Sequence, residues 1–203
     1  EADNPKVLKA AQIVFDEGIG FPILLGDEQK IKRIAEENAV DIEGLPIFDP
    51  RSDAMEEKRD QYGELFLSKM GRRGFNAYEA KKIMKDRNHY GCMMVEYGDA
   101  DAMISGLTKN YPDTIRPAIQ IIGMEEGVSK IAGMYMMLTK RGPLFLADTT
   151  VNFNPTAEEL AEITLLAAKE IRQFNIIPRI AMLSYSNFGS SNSPEAKLVA
   201  KAR

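Results

Sequence analysis

FPILLGDEQKIKRIAEENAVDIEGLPIFDP, residues Phe21 to Pro50, sets two short apolar runs on either side of an amphipathic one. FPILL and LPIF are short and apolar at successive positions, the pattern of strands covered on both faces. Gly26 and Asp27 close the first run. Asp27 is placed to cap a helix over EQKIKRIAEEN, because its carboxylate can accept from the free amides of the first turn. A strand, a crossover helix and a second strand form the unit that joins parallel strands. Upstream, NPKVLKAAQIVFDEG reads as another helix, with Asn4 as N-cap, Pro5 at its first position and Val7, Leu8, Ala11, Val14 and Phe15 as its apolar residues. The order helix, strand, helix, strand predicts an α/β fold with a mostly parallel sheet.

Farther along, helical periodicity returns from Ala54 to Lys69 and from Ala77 to Tyr97, the second stretch with an expected break near Gly91. DAMISG, Asp101 to Gly106, reads as a strand running into a glycine. YPDTIRPAIQIIG reads as a helix whose start is marked by Pro112, Asp113 and Pro117. IAGMYMMLTKRGPLFLADTT contains two strands around a Lys-Arg-Gly-Pro turn. NPTAEELAEITLLAAKEIRQF is a long helix in which Thr156 and Glu159 form a capping box. RIAMLS is a last strand and SPEAKLVAKAR a last helix. With residue 1 directly before a helix and Arg203 inside a helical pattern, the chain reads as an excised part of a larger protein.

Its 203 residues, 44% hydrophobic and 28% charged, supply enough apolar material for the core of one or two domains. A formal net charge of -4 offers no overall basic field to nucleic acid or an anionic membrane. No apolar run approaches the roughly 18 residues of a membrane span, and no charged-then-apolar leader opens the chain, so a cytoplasmic enzyme component is expected. Cys92 is the only cysteine and His89 the only histidine, which rules out an internal disulfide and a thiolate zinc site. The two stand at i and i+3 in HYGC, the spacing of a cysteine nucleophile and its base on one helix face. No third residue to orient the base is identifiable, and a buried thiol beside a satisfied histidine is the plainer expectation.

Chemistry is better placed at the strand ends. LLGD, ISGLT, LADTT and LSYSNFGSS each carry Gly, Ser, Thr or Asp just before a helix. In open parallel sheets ligands bind beyond the carboxyl ends of the strands, where backbone amides and helix N-termini favour anions. One such loop serves helix capping as readily as ligand binding; several along one edge point to a phosphate or carboxylate. Arg116 stands at a helix start beside Thr114, placed either to clamp an anion or to make a surface ion pair. From Lys69 to Arg87 seven cations face two carboxylates, which suits a solvated helical face or a polyanionic ligand tail. Asp99 and Asp101 beside one strand and Asp148 at the end of another match no established metal-binding pattern, and the Met-rich GMYMML reads as core.

GDADAMISG, TIRPAIQIIG, ADTTVNFNPTAEELAEIT and MLSYSNFGSS, in this order and spacing, resemble the phosphate acetyltransferase and butyryltransferase family over nearly the whole chain. SNFGSS and Met-Leu-Ser-Tyr-Ser are most similar to the phosphate-acetyltransferase-like C-terminal domain of NADP-dependent malic enzymes. The resemblance implies an α/β/α sandwich of two lobes around a cleft, of the isocitrate/isopropylmalate dehydrogenase kind. Residues 1–123 would form the first lobe, lacking its first strand, and 124–203 part of the second, lacking its C-terminal remainder. The cleft would take acetyl-CoA or coenzyme A. Its first wall would hold Ser105, Gly106, Thr114 and Arg116, with Arg116 matching the arginine that the family places on the substrate phosphate. The second would hold Ser184, Ser186, Gly189 and Ser190, and Arg72 and Arg73 would reach coenzyme A phosphates. A further cleft arginine of the transferases aligns with Met70, and their late Ser-Arg pair and aspartate fall beyond Arg203, so the resemblance assigns no catalytic residue here.

Three functions follow from the resemblance as expectations. The first is an acyl-CoA-sensing domain of a malic enzyme, whose NADP and divalent metal would belong to its malic portion. The second is an active phosphate acetyltransferase, and the third an oligomerisation module with a vestigial cleft. The expected partners are an acyl-CoA ligand, a malic catalytic domain in the same polypeptide and further copies of the chain, with no nucleic acid and no membrane.

Overall fold

Local capping decides where the helices begin. In the computed structural model, which describes residues 1–187 and 189–203, Asn4 accepts from the amide of Lys6 at 2.9 Å and starts α1 (Pro5–Asp16). Asp27 accepts from the amide of Lys30 at 2.8 Å and starts α2 (Glu28–Glu37). β1 (Leu24–Leu25) and β2 (Ile47–Phe48) pair in parallel, Leu24 opposite Ile47 and Leu25 opposite Phe48, so α2 is the crossover that residues 21–50 predict. The described residues fall into two units, Glu1–Gly123 and Met124–Arg203.

In the first unit, α1, α2 and the strand pair close over Leu8, Leu24, Ile31 and Leu45. A second cluster joins α3 (Glu56–Met70), α4 (Ala77–Ile83), α5 (Arg87–Tyr97) and α6 (Tyr111–Ile121) through buried Tyr62, Phe66, Met84, Tyr90, Met93 and Ile121. Tyr62 meets Tyr90 edge to face with ring centroids 5.0 Å apart. Each such side chain removed from water contributes about 1.5–3 kcal/mol, so this cluster is the firm base on which α5 and α6 are set.

Three expectations need correction. The helical stretch from residue 77 to 97 breaks at residues 84–86, not near Gly91, because Asp86 accepts from the amides of Asn88 and His89, each at 3.1 Å, and caps a new helix. Gly91 lies inside α5, where a Cβ would come within 2.8 Å of Met103 Sδ and 3.1 Å of Leu25 Cδ1; glycine serves close packing there. DAMISG and RIAMLS form no ladder, since among the described residues neither has a strand neighbour. DAMISG keeps a strand's alternation, with Met103 packed inward and Ile104 99% exposed, but alternation alone supplies no partner for the backbone groups. The α/β class stands, and among the described residues its parallel pairing is that of β1 with β2.

In the second unit, β3 (Met134–Thr139) and β4 (Gly142–Ala147) form an antiparallel hairpin closed by Lys140 and Arg141. α7 (Ala157–Gln173) starts at the predicted capping box: Thr156 Oγ1 accepts from the amide of Glu159 at 3.2 Å, and Glu159 accepts from the amide of Thr156 at 2.9 Å. Ser193 caps α8 (Pro194–Ala202), which packs on α7. Met136 and Met137 remain half-exposed, contrary to the core expectation for GMYMML, because α7 covers only part of a two-stranded ribbon that is apolar on both faces. No helix among the described residues is long and apolar enough to cross a membrane.

Candidate functional site

Ser105 and Gly106 lie where segment 101–106 turns towards α6, Thr114 follows in the first turn of that helix, and Arg116 stands in its middle and not at its start as expected, because Asn110 caps the helix well before it. Asn110 accepts from the amide of Asp113 at 3.0 Å and starts the helix, with Pro112 in its first turn. Thr114 turns its hydroxyl back to the Asn110 carbonyl at 3.1 Å, and its methyl faces Gly106, whose Cβ, if present, would lie 3.5 Å from Thr114 Cγ2. Gly106 has a φ of +119°, which glycine adopts without strain. Thr114 therefore packs the loop against the helix and does not offer its O–H outward. Arg116 is exposed and pairs with no carboxylate among the described residues.

Two residues that the sequence reading does not single out hold this loop. Glu1 accepts from the amides of Gly106 (2.9 Å), Leu107 (2.8 Å), Thr108 (2.8 Å) and Lys109 (3.2 Å), and from the Thr108 hydroxyl at 2.8 Å. Burial by itself raises the Glu1 pKa, but the hydrogen bonds from Thr108, Leu107 and Gly106 outweigh it and hold the carboxyl at about 2. The amides expected to meet an anionic ligand are thus engaged by an internal carboxylate. Asn88, on α5 and 1% exposed, accepts from the Ser105 hydroxyl at 2.9 Å and donates to the Asp113 carbonyl at 3.4 Å.

His89 and Cys92 do not meet. His89 Nδ1 lies 2.9 Å from Asp86 and Nε2 3.3 Å from Gln120, while Cys92 Sγ lies 3.6 Å from Met103 Sδ. Burial pushes the Cys92 thiol up to about 11, which leaves no thiolate for nucleophilic work near neutral pH. Asp99 is held by Lys58 at 2.7 Å and by the Tyr62 hydroxyl. Among the described residues no group of three or more His, Cys, Asp or Glu side chains is placed to hold a metal ion.

Much of the basic segment is structural. Lys69 pairs with Glu96, Lys81 with Asp60 at 2.8 Å and Arg87 with Asp3 at 2.7 Å. Arg72 and Arg73 are exposed on the single tight turn Gly71–Arg73 that follows α3. Met70, at the end of α3, is 4% exposed and belongs to the core.

In the second unit, Asp148 accepts from the amides of Gly133 (2.8 Å), Thr150 (3.2 Å), Val151 (3.2 Å) and Asn152 (2.6 Å), and from the Asn152 side chain at 2.6 Å. Burial raises its pKa, and the bonds from Gly133 and Asn152 outweigh that and hold it at about 2. LADTT is therefore a clasped turn, with its acid already supplied with donors.

The serine loop is held differently. Ser184 Oγ accepts from the amide of Ser186 at 3.2 Å, Ser186 Oγ from the amide of Ser191 at 3.1 Å and Ser190 Oγ from the amide of Asn187 at 3.0 Å. Gly189 turns the chain at φ +82°, and Phe188 of SNFGSS lies outside the described residues. A hydroxyl that accepts from the backbone keeps its own proton, and Ser186 and Ser190 donate to no group among the described residues. Among the described residues the Ser186 and Ser190 hydroxyls thus keep O–H donors, the polarity that a phosphate or carboxylate oxygen requires, while Ser191 donates to Tyr185.

The family model described as phosphate acetyl/butaryl transferase matches residues 1–203. The chain is 35% identical over 203 residues to the phosphate acetyltransferase of Bacillus subtilis (strain 168), a match covering 100% of this chain and 61% of that protein. It is 34% identical over 203 residues to the NADP-dependent malic enzyme of Escherichia coli (strain K12), covering 100% of this chain and 27% of that protein. Among solved structures, the EutD phosphotransacetylase from Staphylococcus aureus is similar with a TM-score of 0.87 and 30% identity, over 100% of this chain and 60% of that one. The chain spans from 26% to 62% of the length of such curated relatives.

Proposed function

The chain belongs to the phosphate acetyl/butaryl transferase family, and on that premise we propose that it binds acetyl-CoA as the ligand-sensing domain of a larger NADP-dependent malic enzyme. Met70 carries the reading. Where the transferases that the chain resembles place a second cleft arginine, this chain buries a methionine in the core around α3 and α5. Transfer of an acetyl group to phosphate needs cations on the charge that develops as the bond forms. Recognition of acyl-CoA needs only contacts in the bound state, so loss of one cation is tolerable for a sensor and damaging to a transferase.

Each unit, taken by itself, keeps donors of the kind that such a ligand takes. Arg116, exposed and without an ion-pair partner among the described residues, offers a bidentate guanidinium, and Ser186 and Ser190 offer hydroxyl protons. Arg72 and Arg73 are free to meet the phosphates of coenzyme A. Bound acetyl-CoA would act on malate oxidation only through a difference in its affinity for two states of the whole enzyme. In this reading NADP and the divalent metal sit in the malic portion of the same polypeptide, in line with the 27% share of the Escherichia coli malic enzyme that the chain spans. Copies of the enzyme would assemble as a homo-oligomer.

Calorimetry of the full-length protein with acetyl-CoA, combined with malate oxidation measured with and without it, tests the proposal. The expected result is saturable binding, slower malate oxidation and no acetyl-CoA made from acetyl phosphate and coenzyme A. Rapid acetyl-CoA formation would identify a phosphate acetyltransferase, the reading that the Arg116–Pro117 pair favours through its likeness to the transferases. Absence of acetyl-CoA binding would leave an oligomerisation role.

A further inference from the structure

Pro117 has no amide proton and stands four residues after Asp113, so the Asp113 carbonyl lacks the partner that an α-helix normally supplies. The Asn88 side chain takes that place, with Nδ2 3.4 Å from the carbonyl oxygen. A carbonyl can only accept, so this contact fixes which end of the Asn88 amide points at α6 and leaves Oδ1 facing Ser105. Oδ1 in turn can only accept, so the Ser105 hydroxyl donates, across 2.9 Å. Asn88 is 1% exposed, and turning its amide over would set its buried oxygen against the Asp113 carbonyl oxygen.

We propose that Pro117 and Asn88 set the polarity of Ser105. Its hydroxyl proton is turned inward and only its lone pairs face a ligand. Position 105 then recognises a hydrogen-bond donor, the thiol or an amide N–H of the coenzyme A arm, and not a phosphate oxygen. This rests on the acyl-CoA reading and sharpens it: Asn88 and Pro117 are positioning residues, and Ser105 is the contact.

Two measurements on the full-length protein test it. The first needs no ligand. Asn88→Ala strands the Asp113 carbonyl only while residue 117 is proline; in Pro117→Ala the new amide supplies the helical bond. The melting-temperature loss from Asn88→Ala should therefore fall to about half or less in the Pro117→Ala background, and equal losses in the two backgrounds would overturn the relay. The second is calorimetry with coenzyme A, desulfo-coenzyme A and inorganic phosphate. Ser105→Ala should weaken coenzyme A about threefold to tenfold and leave phosphate unchanged. An equal loss with desulfo-coenzyme A assigns the donor to an amide N–H, and no loss there assigns it to the thiol. Pro117→Ala, which frees Asn88 to turn, should narrow the preference for coenzyme A over phosphate. A loss of phosphate affinity matching that of coenzyme A overturns the proposal. If the unaltered protein binds no coenzyme A, the acyl-CoA reading fails and the ligand assignment with it, while the stability cycle still decides the relay.

Discussion

Serines close both candidate loops, yet they are held in opposite senses. Ser105 donates inward to Asn88, and the amides of residues 106–109 donate to Glu1, so the donors of that loop have internal acceptors. Ser186 and Ser190 accept from their own backbone and keep their protons. A serine at a strand end is therefore no statement about its ligand. What stands behind it sets its polarity: a buried asparagine and a carboxylate in the first loop and, among the described residues, the turn's own amides in the second.

The contrast is most exposed at Asn88. Asn88→Ala takes their side-chain partner from the half-buried Ser105 hydroxyl and from the Asp113 carbonyl and should cost about 1–3 kcal/mol by chemical denaturation; a cost near zero would mean that neither bond matters. Arg116→Ala comes next. A charge-assisted hydrogen bond contributes about 1.5–3 kcal/mol, so acetyl-CoA affinity should fall by about tenfold or more, and unchanged affinity by calorimetry removes the arginine from the site. Ser186→Ala and Ser190→Ala should each weaken inorganic phosphate about threefold to tenfold, whereas the same change at Ser105 should not. Equal losses at all three serines would erase the difference between the loops.

Acid offers a gentler test of the two carboxylate clasps. Glu1 and Asp148 sit at about 2 when folded, against ordinary values of 4.5 and 3.8. A carboxyl group held below its ordinary value stabilises the fold fully above that value, and the contribution is lost as pH falls from there through about 2. Glu1→Gln and Asp148→Asn should each flatten the acid-denaturation curve followed by circular dichroism in that window, and an unaltered curve would show that the clasp holds nothing. The smallest effect is expected at Arg72, where the alanine variant should lose less than about threefold in acetyl-CoA affinity and only at low salt, since exposed charges are screened.

Several elements are legible without coordinates. Asn4, Asp27 and the Thr156–Glu159 box act within a few residues of themselves, so their short patterns suffice to place α1, α2 and α7. The α/β class follows from residues 21–50 for the same reason, and the four ordered motifs carry the family. DAMISG and RIAMLS show the limit of such patterns, because alternation reports which side chains face inward and not whether a neighbouring strand is present. The break in residues 77–97 follows the cap at Asp86, although a glycine at 91 is the more conspicuous letter; Gly91 answers to Met103 and Leu25, which lie elsewhere in the chain.

For the site, residue type and local order are enough to select Ser105, Arg116 and the serines of 184–191 as candidates. Pro117 reads there as a mark of the helix start, whereas the structure sets it inside α6, where it withholds an amide from the Asp113 carbonyl. Packing was needed to bring Asn88 to that carbonyl and Glu1 to the amides of 106–109, contacts that span 25 and more than 100 residues. A hydrogen bond takes its direction from both of its ends, and when the second end arrives through the tertiary fold, no local pattern can say whether a serine gives its proton or keeps it.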